Sequence, residues 1–205
     1  ARSGGNLKTM TKQTHVGVNV VALCDVDQRQ LERASANFPN AKAYVDFRRL
    51  YDDAGGIDAV VVSTTEHTHA YATLPALQLG KHVYCEKPIA QNVYEARRIA
   101  EVARKHKVIT QMGTQAHSSE GTRLVVEFIR AGAIGNVKEV HTWTDRPTGW
   151  WHQGFEKPPV TRGPPRNLDW NLWLGCANEH PYYMITDPKN PKQKVSALHD
   201  FRWRG

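Results

Sequence analysis

The chain of 205 residues is 40% hydrophobic and 23% charged, which is the composition of a globular protein rather than a disordered one. No apolar run approaches the ~18 residues that a membrane span needs, so we expect no membrane partner. The net charge of +7 is spread thinly, and its basic runs, such as Arg48-Arg49, are no longer than two residues. A nucleic-acid surface concentrates its charge on one face or tract, so we expect no nucleic-acid partner.

The cysteines and histidines suggest neither a disulfide framework nor a metal centre. Cys24, Cys85 and Cys176 form no C-x-x-C pair, and the first two lie in predicted core strands. A free cysteine in such a strand behaves as a small hydrophobe, so we interpret all three as structural thiols. His67 and His69 are spaced as a ligand pair, but no third ligand follows at a recognisable spacing. We therefore predict no metal.

Strand and helix patterns alternate through the first half of the chain. The sequence predicts strands over 19–26, 41–45, 58–63, 82–85 and 108–114, and helices over 7–13, 28–37, 47–54, 70–79 and 93–106. This alternation predicts an α/β fold with a doubly wound parallel sheet of the Rossmann type.

A second domain is expected over 118–205. A helix over 118–131 and a strand over 137–143 open it. From Arg146 onward the chain holds eight of its 11 prolines and five of its six tryptophans. We expect irregular structure there rather than a third domain. Trp150, Trp151, Trp170 and Trp173 could stack on a sugar face or could simply fill a core or an interface.

The segment 58–88 is the most informative part of the sequence. A valine-rich strand is followed by a polar loop, a helix that ends at Gly80, and a second strand. That strand delivers Glu86, Lys87 and Pro88 to its carboxyl end, where open α/β sheets bind their ligands. Lys87 is our candidate catalytic residue. The alternative is a structural pair with Glu86, which alternation along an extended chain disfavours. Pro88 is expected to constrain the backbone, with a cis bond as one way to do so.

Asp25 ends the strand predicted over 19–26. A carboxylate there can accept both hydrogen bonds from an adenosine ribose and repel a 2′-phosphate, which favours NAD over NADP. The alternative role for Asp25 is to cap the next helix, for which Asp27 is better placed. Arg29 works against the discrimination, because a nearby arginine is how such sites accept the phosphate.

Several motifs in this order resemble the Gfo/Idh/MocA family of glucose–fructose oxidoreductase and inositol 2-dehydrogenase. His69 matches the family's histidine, whereas Thr65 stands where proline is usual and Glu66 where Asn or Asp is usual. The resemblance covers most of the 205 residues. The motifs that carry it are STTEHTH (63–69), GKHV (80–83), EKP (86–88), QMGTQ (111–115), AGAIG (131–135) and DWNLWLG (169–175).

The resemblance implies a fold, a cofactor and a substrate class. Residues 1–117 would be an NAD(P)-binding Rossmann-like domain whose first strand and first fingerprint glycines lie upstream. Residues 118–205 would begin an α+β substrate domain that forms a homo-oligomer through its sheet. The cofactor would be NAD, with NADP less favoured, and the reaction a hydride transfer to or from a sugar, polyol or sugar derivative. Both ends of the chain would then lie inside a longer protein.

The resemblance also implies site residues. Lys87 would position the substrate hydroxyl and the nicotinamide ring, and Glu86 would contact the nicotinamide side. For Gln115, a cofactor or substrate contact and a simple loop hydrogen bond both stay open. The implied cofactor-binding set is Asp25, Ser63, Thr64, Thr65, His67, His69, Glu86, Lys87, Pro88 and Gln115.

The catalytic base of the family is usually a histidine in an H-x-x-D-type motif of the second domain, and no such motif is recognisable here. Three rival functions follow. One is an NAD-dependent glycosidase of the same family, the second a non-catalytic nucleotide-binding protein, and the third an oligomerisation module. The sequence leaves the compartment open between the cytoplasm and export through a twin-arginine signal.

Overall fold

A computed structural model describes residues 17–114, 116–144, 163–187 and 190–197. The chain divides into two compact units. The first comprises Ala1–Thr114 and Pro165–Glu179, and the second comprises Gln115–Pro164 and His180–Gly205. The sequence places 165–179 with the second domain, whereas these residues pack within the first unit. The predicted helix over 7–13 lies outside the described residues.

The strands of the first unit form two parallel sheets. In one, β1 (Ala22–Cys24) pairs with β2 (Lys42–Tyr44). In the other, β4 (His82–Glu86) lies between β3 (Ala59–Val62) and β5 (Thr110–Gly113). Helices connect successive strands, as parallel pairing requires. The prediction of a Rossmann-type parallel α/β fold is confirmed.

Three helices of this unit begin at a side-chain cap that the sequence supplies. Asp27, Asp46 and Asn92 accept backbone hydrogen bonds from Arg29, Arg48 and Glu95 respectively, and so satisfy amides that have no partner within their helices. Short 3₁₀ turns cover Ala54–Gly56 and Glu66–Thr68. The helices are α1 (Gln28–Ser35), α2 (Phe47–Asp52), α3 (His69–Gln78) and α4 (Val93–His106).

The main core lies where α3 and α4 cover the β3–β4 pair. Ala76 and Leu77 of α3 are completely buried, and Ile99 of α4 is 2% exposed. They pack against Val83 and Cys85 of β4 in one cluster. Burying a side chain such as Leu77 stabilises the fold by about 1.5–3 kcal/mol. This packing fixes the strands, and therefore the loops that leave their carboxyl ends.

The second unit contains α5 (Glu120–Arg130) and a hairpin of β6 (Met184–Asp187) and β7 (Asn190–Ser196). Apolar residues of α5 are exposed, including Phe128 at 60%. The predicted strand over 137–143 is wrong, because these residues adopt no regular structure. A strand needs a neighbour for its backbone groups, and no described strand pairs with this segment. No helix in the described ranges is long and apolar enough to cross a membrane.

Residues 165–179, which we call the clasp, carry α6 (Trp170–Leu174). Asp169 caps this helix by accepting a hydrogen bond from the Leu172 amide. Leu168, Trp173 and Leu174 are buried. Irregular structure is expected here from composition, but the described segment is a capped helix with a buried face. Its burial explains why a proline- and tryptophan-rich stretch is ordered.

Candidate functional site

Three polar loops leave the carboxyl ends of parallel strands in the first unit. We call them the β1 loop (25–27), the β3 loop (63–68) and the β4 loop (87–92). They contain seven of the ten sequence-predicted site residues, and His69 and Glu86 lie directly beside them. In open α/β sheets this edge is where ligands bind, because strand ends and helix starts expose backbone and side-chain polar groups there.

His69 ties the β3 loop to the β4 loop. Its side chain is almost fully buried, at 1% exposure. The Nδ1 atom lies 2.6 Å from the Pro88 carbonyl oxygen, and the Nε2 atom lies 3.1 Å from the Thr64 carbonyl oxygen. Each ring nitrogen that carries a hydrogen donates to one of these carbonyls. His69 therefore acts on both loops through their backbones, and its direct contact with a cofactor stays a prediction.

Hydroxyl groups organise the β3 loop. The Thr68 hydroxyl lies 2.8 Å from the Thr64 hydroxyl and 2.9 Å from the Thr65 carbonyl oxygen. Thr64 is exposed, whereas Ser63 and Thr65 are half-buried. The Thr68 hydroxyl thus holds the loop backbone, and exposed Thr64 lies at the carboxyl end of the strand.

The end of β4 is crowded on the face that Glu86 shares with Tyr84. These residues alternate with Cys85, so their side chains lie on one face of the sheet. A Cβ atom at Gly113, opposite Glu86 on β5, would lie 2.5 Å from Tyr84 Oη and 3.0 Å from Glu86 Oε1. Glycine is the residue that leaves room there for both side chains.

Lys87 directly follows β4 and is half-buried. The Lys87–Pro88 peptide bond is cis, as the sequence analysis allows. Pro88 is exposed, and its carbonyl is the one that meets His69. Lys87 therefore sits between buried Glu86 and a loop backbone that His69 holds.

The β1 loop centres on Asp27, which is 2% exposed. One carboxylate oxygen, Oδ1, accepts the Arg29 amide at 3.0 Å and the Asn167 side-chain amide at 2.7 Å. The Arg29 guanidinium reaches the other oxygen at 3.3 Å. Asp25 Oδ1 in turn accepts the Asp27 amide at 2.9 Å. The prediction that Asp27 caps the helix is confirmed, and the ribose role of Asp25 stays a prediction.

Asp27 is held in its ionised form. Burial by itself raises the pKa of this carboxyl, but hydrogen bonds from Arg29 and Asn167, with the Arg29 charge, outweigh burial and hold the pKa below its usual value. The carboxylate is therefore negative at neutral pH. It presents a fixed charge to Arg29 at the start of α1.

The clasp touches both the β1 loop and the β3 loop. The Asn167 carbonyl accepts the Gln28 amide at 2.8 Å, and the Asp169 amide donates to the Val26 carbonyl at 3.0 Å. At the other end His67 Nε2 lies 3.1 Å from the Trp173 carbonyl oxygen. The two points of contact are six residues apart, so these loops lie within about 20 Å of one another.

His67 is neutral in this setting. Burial lowers its pKa, and the backbone groups of Trp173 and Leu174 oppose that shift without cancelling it. A neutral ring donates one hydrogen, and Nε2 is placed to give it to the Trp173 carbonyl. The Cys176 thiol adds a contact of 3.0 Å to the His67 carbonyl oxygen. His67 is thereby joined to the clasp on both its ring and its backbone.

The tryptophans of the clasp serve packing. The rings of Trp170 and Trp173 stack with centroids 4.7 Å apart and planes at 11°. The His67 ring lies 5.4 Å from Trp173. The sequence left two roles open for these residues, stacking on a sugar and filling a core or interface. The contacts of Trp170 and Trp173 favour the second role. Trp150, Trp151 and Gln115 lie outside the described residues.

Sequence reasoning missed Asn167 entirely. It belongs to no motif, and its partner Asp27 is 140 residues away along the chain. The only signal was the DWNLWLG motif, which marks the capped helix but not what that helix contacts. Within the described ranges, no three His, Cys, Asp or Glu residues are grouped so that they could hold a metal ion.

The donor set suits a dinucleotide. The Asp25 carboxylate stands at the end of β1, at the edge where open α/β sheets bind their ligands, and its Oδ1 atom accepts the Asp27 amide. The exposed Thr64 hydroxyl follows β3, and the Lys87 ammonium group follows β4. These groups supply acceptors at one end of the edge and donors at the other.

Comparison with known proteins agrees with this arrangement. Residues 3–114 match the Gfo/Idh/MocA model, described as an oxidoreductase family with an NAD-binding Rossmann fold. An inositol 2-dehydrogenase/D-chiro-inositol 3-dehydrogenase from Lacticaseibacillus casei is 37% identical over 188 residues, which is 90% of this chain and 53% of that protein.

Two solved structures share the fold. Myo-inositol 2-dehydrogenase from Lactobacillus plantarum aligns with a TM-score of 0.59 at 27% identity, covering 67% of this chain and 40% of that one. A 3-ketoreductase from Actinomadura kijaniata, solved with TDP-benzene and NADP, aligns with a TM-score of 0.52 at 25% identity, covering 58% and 36%.

The chain spans about half the length of the curated relatives it matches, or less, from 34% to 53%. The family match nevertheless covers more than half of the chain and coincides with the parallel sheets and their polar edge. The chain therefore belongs to the Gfo/Idh/MocA family of oxidoreductases, and its residues 3–114 match the NAD-binding Rossmann fold of that family.

Proposed function

We propose that this chain is the cofactor-binding part of an oxidoreductase that transfers a hydride between NAD and a CH–OH group of a sugar, polyol or sugar derivative. The observation that carries the proposal is that the three polar loops at the carboxyl ends of β1, β3 and β4 are connected to one another. The clasp connects the β1 and β3 loops, and His69 connects the β3 and β4 loops. The inositol dehydrogenases among its relatives support a polyol as the substrate class.

Each loop has a distinct task in this proposal. Asp25 accepts the hydroxyls of the adenosine ribose, and the β3 loop lines the dinucleotide with Ser63, Thr64 and Thr65. Lys87 hydrogen-bonds the reacting hydroxyl of the substrate and holds it in place. Bound NAD supplies the carbon that accepts or returns the hydride. Glu86, buried under the β4 loop, supports the position of its neighbour Lys87.

The cofactor preference rests on charge. Asp25 repels a 2′-phosphate at the position where a ribose carries only a hydroxyl, and this favours NAD. The fold itself does not decide the matter, since the Actinomadura ketoreductase was solved with NADP. Discrimination must therefore come from side chains at the end of β1.

The proposal is tested by titrating the chain with NADH and following quenching of tryptophan fluorescence. Turnover is then assayed with NAD and a panel of inositols, hexoses and sugar derivatives. We expect saturable binding and substrate-dependent formation of NADH. Lys87→Ala should abolish turnover and change the Kd for NADH by less than about threefold, because a substrate-side hydrogen bond contributes little to cofactor affinity.

Lys105→Ala, which removes an exposed lysine from α4, is the matched control and should leave both quantities unchanged. Absence of saturable binding would contradict the cofactor role. Binding without turnover of any substrate would reduce the chain to a nucleotide-binding protein. Release of a free sugar from a glycoside with no net change in NADH would identify a glycosidase instead.

A further inference from the structure

The Asn167–Asp27 hydrogen bond joins the clasp to the β1 loop, but the ion pair between Asp27 and Arg29 has no part in the activity proposed so far. Arg29 lies in the first turn of α1, two residues after Asp27, and its side chain is 58% exposed. Its guanidinium group points back to the Asp27 carboxylate, with Nε 3.4 Å from Oδ1 and Nη2 3.3 Å from Oδ2. An exposed arginine is thus directed onto a carboxylate that is itself buried.

Arg29, in the first turn of α1, carries a charged group that suits a phosphate. A guanidinium group matches phosphate oxygens with paired hydrogen bonds. An arginine near the end of this strand is also the group by which dinucleotide-binding folds accept a 2′-phosphate. Arg29 lies four residues after Asp25, the predicted ribose ligand, at the start of the helix that follows the strand.

Asn167 keeps Asp27 where it can hold Arg29. Its side-chain amide donates to Asp27 Oδ1 at 2.7 Å, while the Asn167 carbonyl accepts the Gln28 amide at 2.8 Å. An exposed ion pair between mobile side chains is weak. Here one partner is fixed on three sides, by its cap bond, by Asn167 and by burial, so only Arg29 loses freedom when the pair forms.

Resting on the proposed function, we propose that Asp27, fixed by Asn167 of the clasp, restrains Arg29 and thereby sets the preference of this site for NAD over NADP. The restraint keeps the guanidinium group on Asp27 and occupies the hydrogen-bond donors that a 2′-phosphate would use. Asp25 disfavours the phosphate directly, and Asp27 disfavours it indirectly by engaging the arginine. Asp27 and Asn167 are therefore positioning residues for cofactor choice.

The test compares Kd values for NADH and NADPH, measured on the whole chain by quenching of tryptophan fluorescence. Asp27→Asn keeps the size of the side chain and a good helix cap, but it removes the charge that holds Arg29. We expect the ratio of NADPH to NADH affinity to rise about two- to fivefold. Asn167→Ala should raise it in the same direction by a smaller factor, since Asp27 keeps its charge but loses its anchor.

The double variant Asp27→Asn/Arg29→Ala separates restraint from simple charge. If Arg29 binds the phosphate once it is released, the double variant loses the gain. Arg29→Ala alone should change the ratio by less than twofold, because the arginine is already engaged. Arg33→Ala is the matched control, since it removes an exposed arginine one turn further along α1.

An unchanged ratio in Asp27→Asn would overturn the inference, as would a gain that persists in the double variant. Asn167→Ala leaves the cap of α1 intact and keeps the inference testable if Asp27→Asn unfolds the loop. Failure of the proposed function looks different, because the unaltered chain would then bind neither NADH nor NADPH, and the inference would fall with it.

Discussion

The two sides of the candidate site are held by ties of very different length along the chain. On the β3–β4 side, His69 reaches Thr64, five residues away, and Pro88, 19 residues away. On the β1 side, Asp27 is held by Asn167, 140 residues away. The contacts of His69 lie within the segment that forms β3 and β4, whereas Asn167 belongs to the clasp, which comes much later in the chain. The connection between the β3 and β4 loops is therefore local, whereas the β1 loop depends on the clasp, which also contacts the β3 loop through His67.

The largest effect is expected from breaking the near tie. His69→Ala removes a ring whose two nitrogens lie within hydrogen-bond distance of two loop carbonyls, and it leaves a cavity at its position. We expect a loss of about 4 kcal/mol in the free energy of unfolding, from lost packing and from the hydrogen bonding of the ring. Urea denaturation measures it. His106→Ala, at the exposed end of α4, should cost less than about 0.5 kcal/mol. A loss below about 1 kcal/mol in His69→Ala would show that the near tie does not hold the loops.

The next effect comes from loosening the distant tie. Trp173→Ala removes a buried ring that contacts Trp170 and His67, and we expect the clasp to lose about 3 kcal/mol of stability. Amide exchange should accelerate at Gln28, which donates to Asn167, but not in the β4 core at Val83.

Trp143, which is 87% exposed, supplies the control for that experiment. Trp143→Ala should leave exchange at Gln28 unchanged. Equal acceleration at Gln28 and Val83 in Trp173→Ala would mean that the clasp and the β4 core open together, and the contrast between the two sides would not hold.

A smaller effect is expected at the strand beneath the β4 loop. Gly113→Ala would place a methyl group 2.5 Å from Tyr84 Oη, so the Tyr84 side chain must move away from residue 113. We expect a loss of about 2 kcal/mol and weaker NADH binding. Gly121→Ala, in α5 with open space around the new methyl, should instead stabilise the chain by about 0.4–1 kcal/mol. Equal effects of the two substitutions would contradict the close approach at Gly113.

The smallest expected effect is a pH dependence of stability that arises at Asp27, on the β1 side of the site. The pKa of Asp27 is lower in the folded chain than in the unfolded chain, so its stabilisation is complete above the unfolded pKa, about pH 4. It is lost as the pH falls through the folded value. We expect at most about 1 kcal/mol, because water screens the exposed Arg29. Stability curves of the unaltered chain and Asp27→Asn, measured by urea denaturation, should converge below pH 4. If the two curves stay parallel as the pH falls, the negative charge of Asp27 does not contribute to stability.

What could be predicted from the sequence follows the same division. The bounds of α4 are as predicted, because Asn92 caps its start and its apolar positions recur at helical spacing. The Asp27 cap and the polar edge at Lys87 were also predictable from local pattern. Each of these depends on residues close together in the chain, so composition and spacing carry the information.

The remainder depends on partners that local pattern does not identify. The residues over 137–143 resemble a strand, but a strand forms only where another pairs with it. Asn167 has no signature of its own, and its role arises from a carboxylate in a distant segment. For the tryptophans of the clasp, the sequence left sugar stacking open beside packing, because a large ring serves either purpose.

The late position of the clasp has a consequence for how the protein is made. The sheets of the first unit are fully synthesised at Thr114, whereas the clasp begins only at Pro165. At about 5–20 residues per second, the ribosome needs roughly 3–10 seconds to cover that interval. During those seconds α1 and its cap have no Asn167 to meet. The contacts of the clasp with the β1 loop, and then with His67 of the β3 loop, are thus the last in the first unit to form while the chain is still growing.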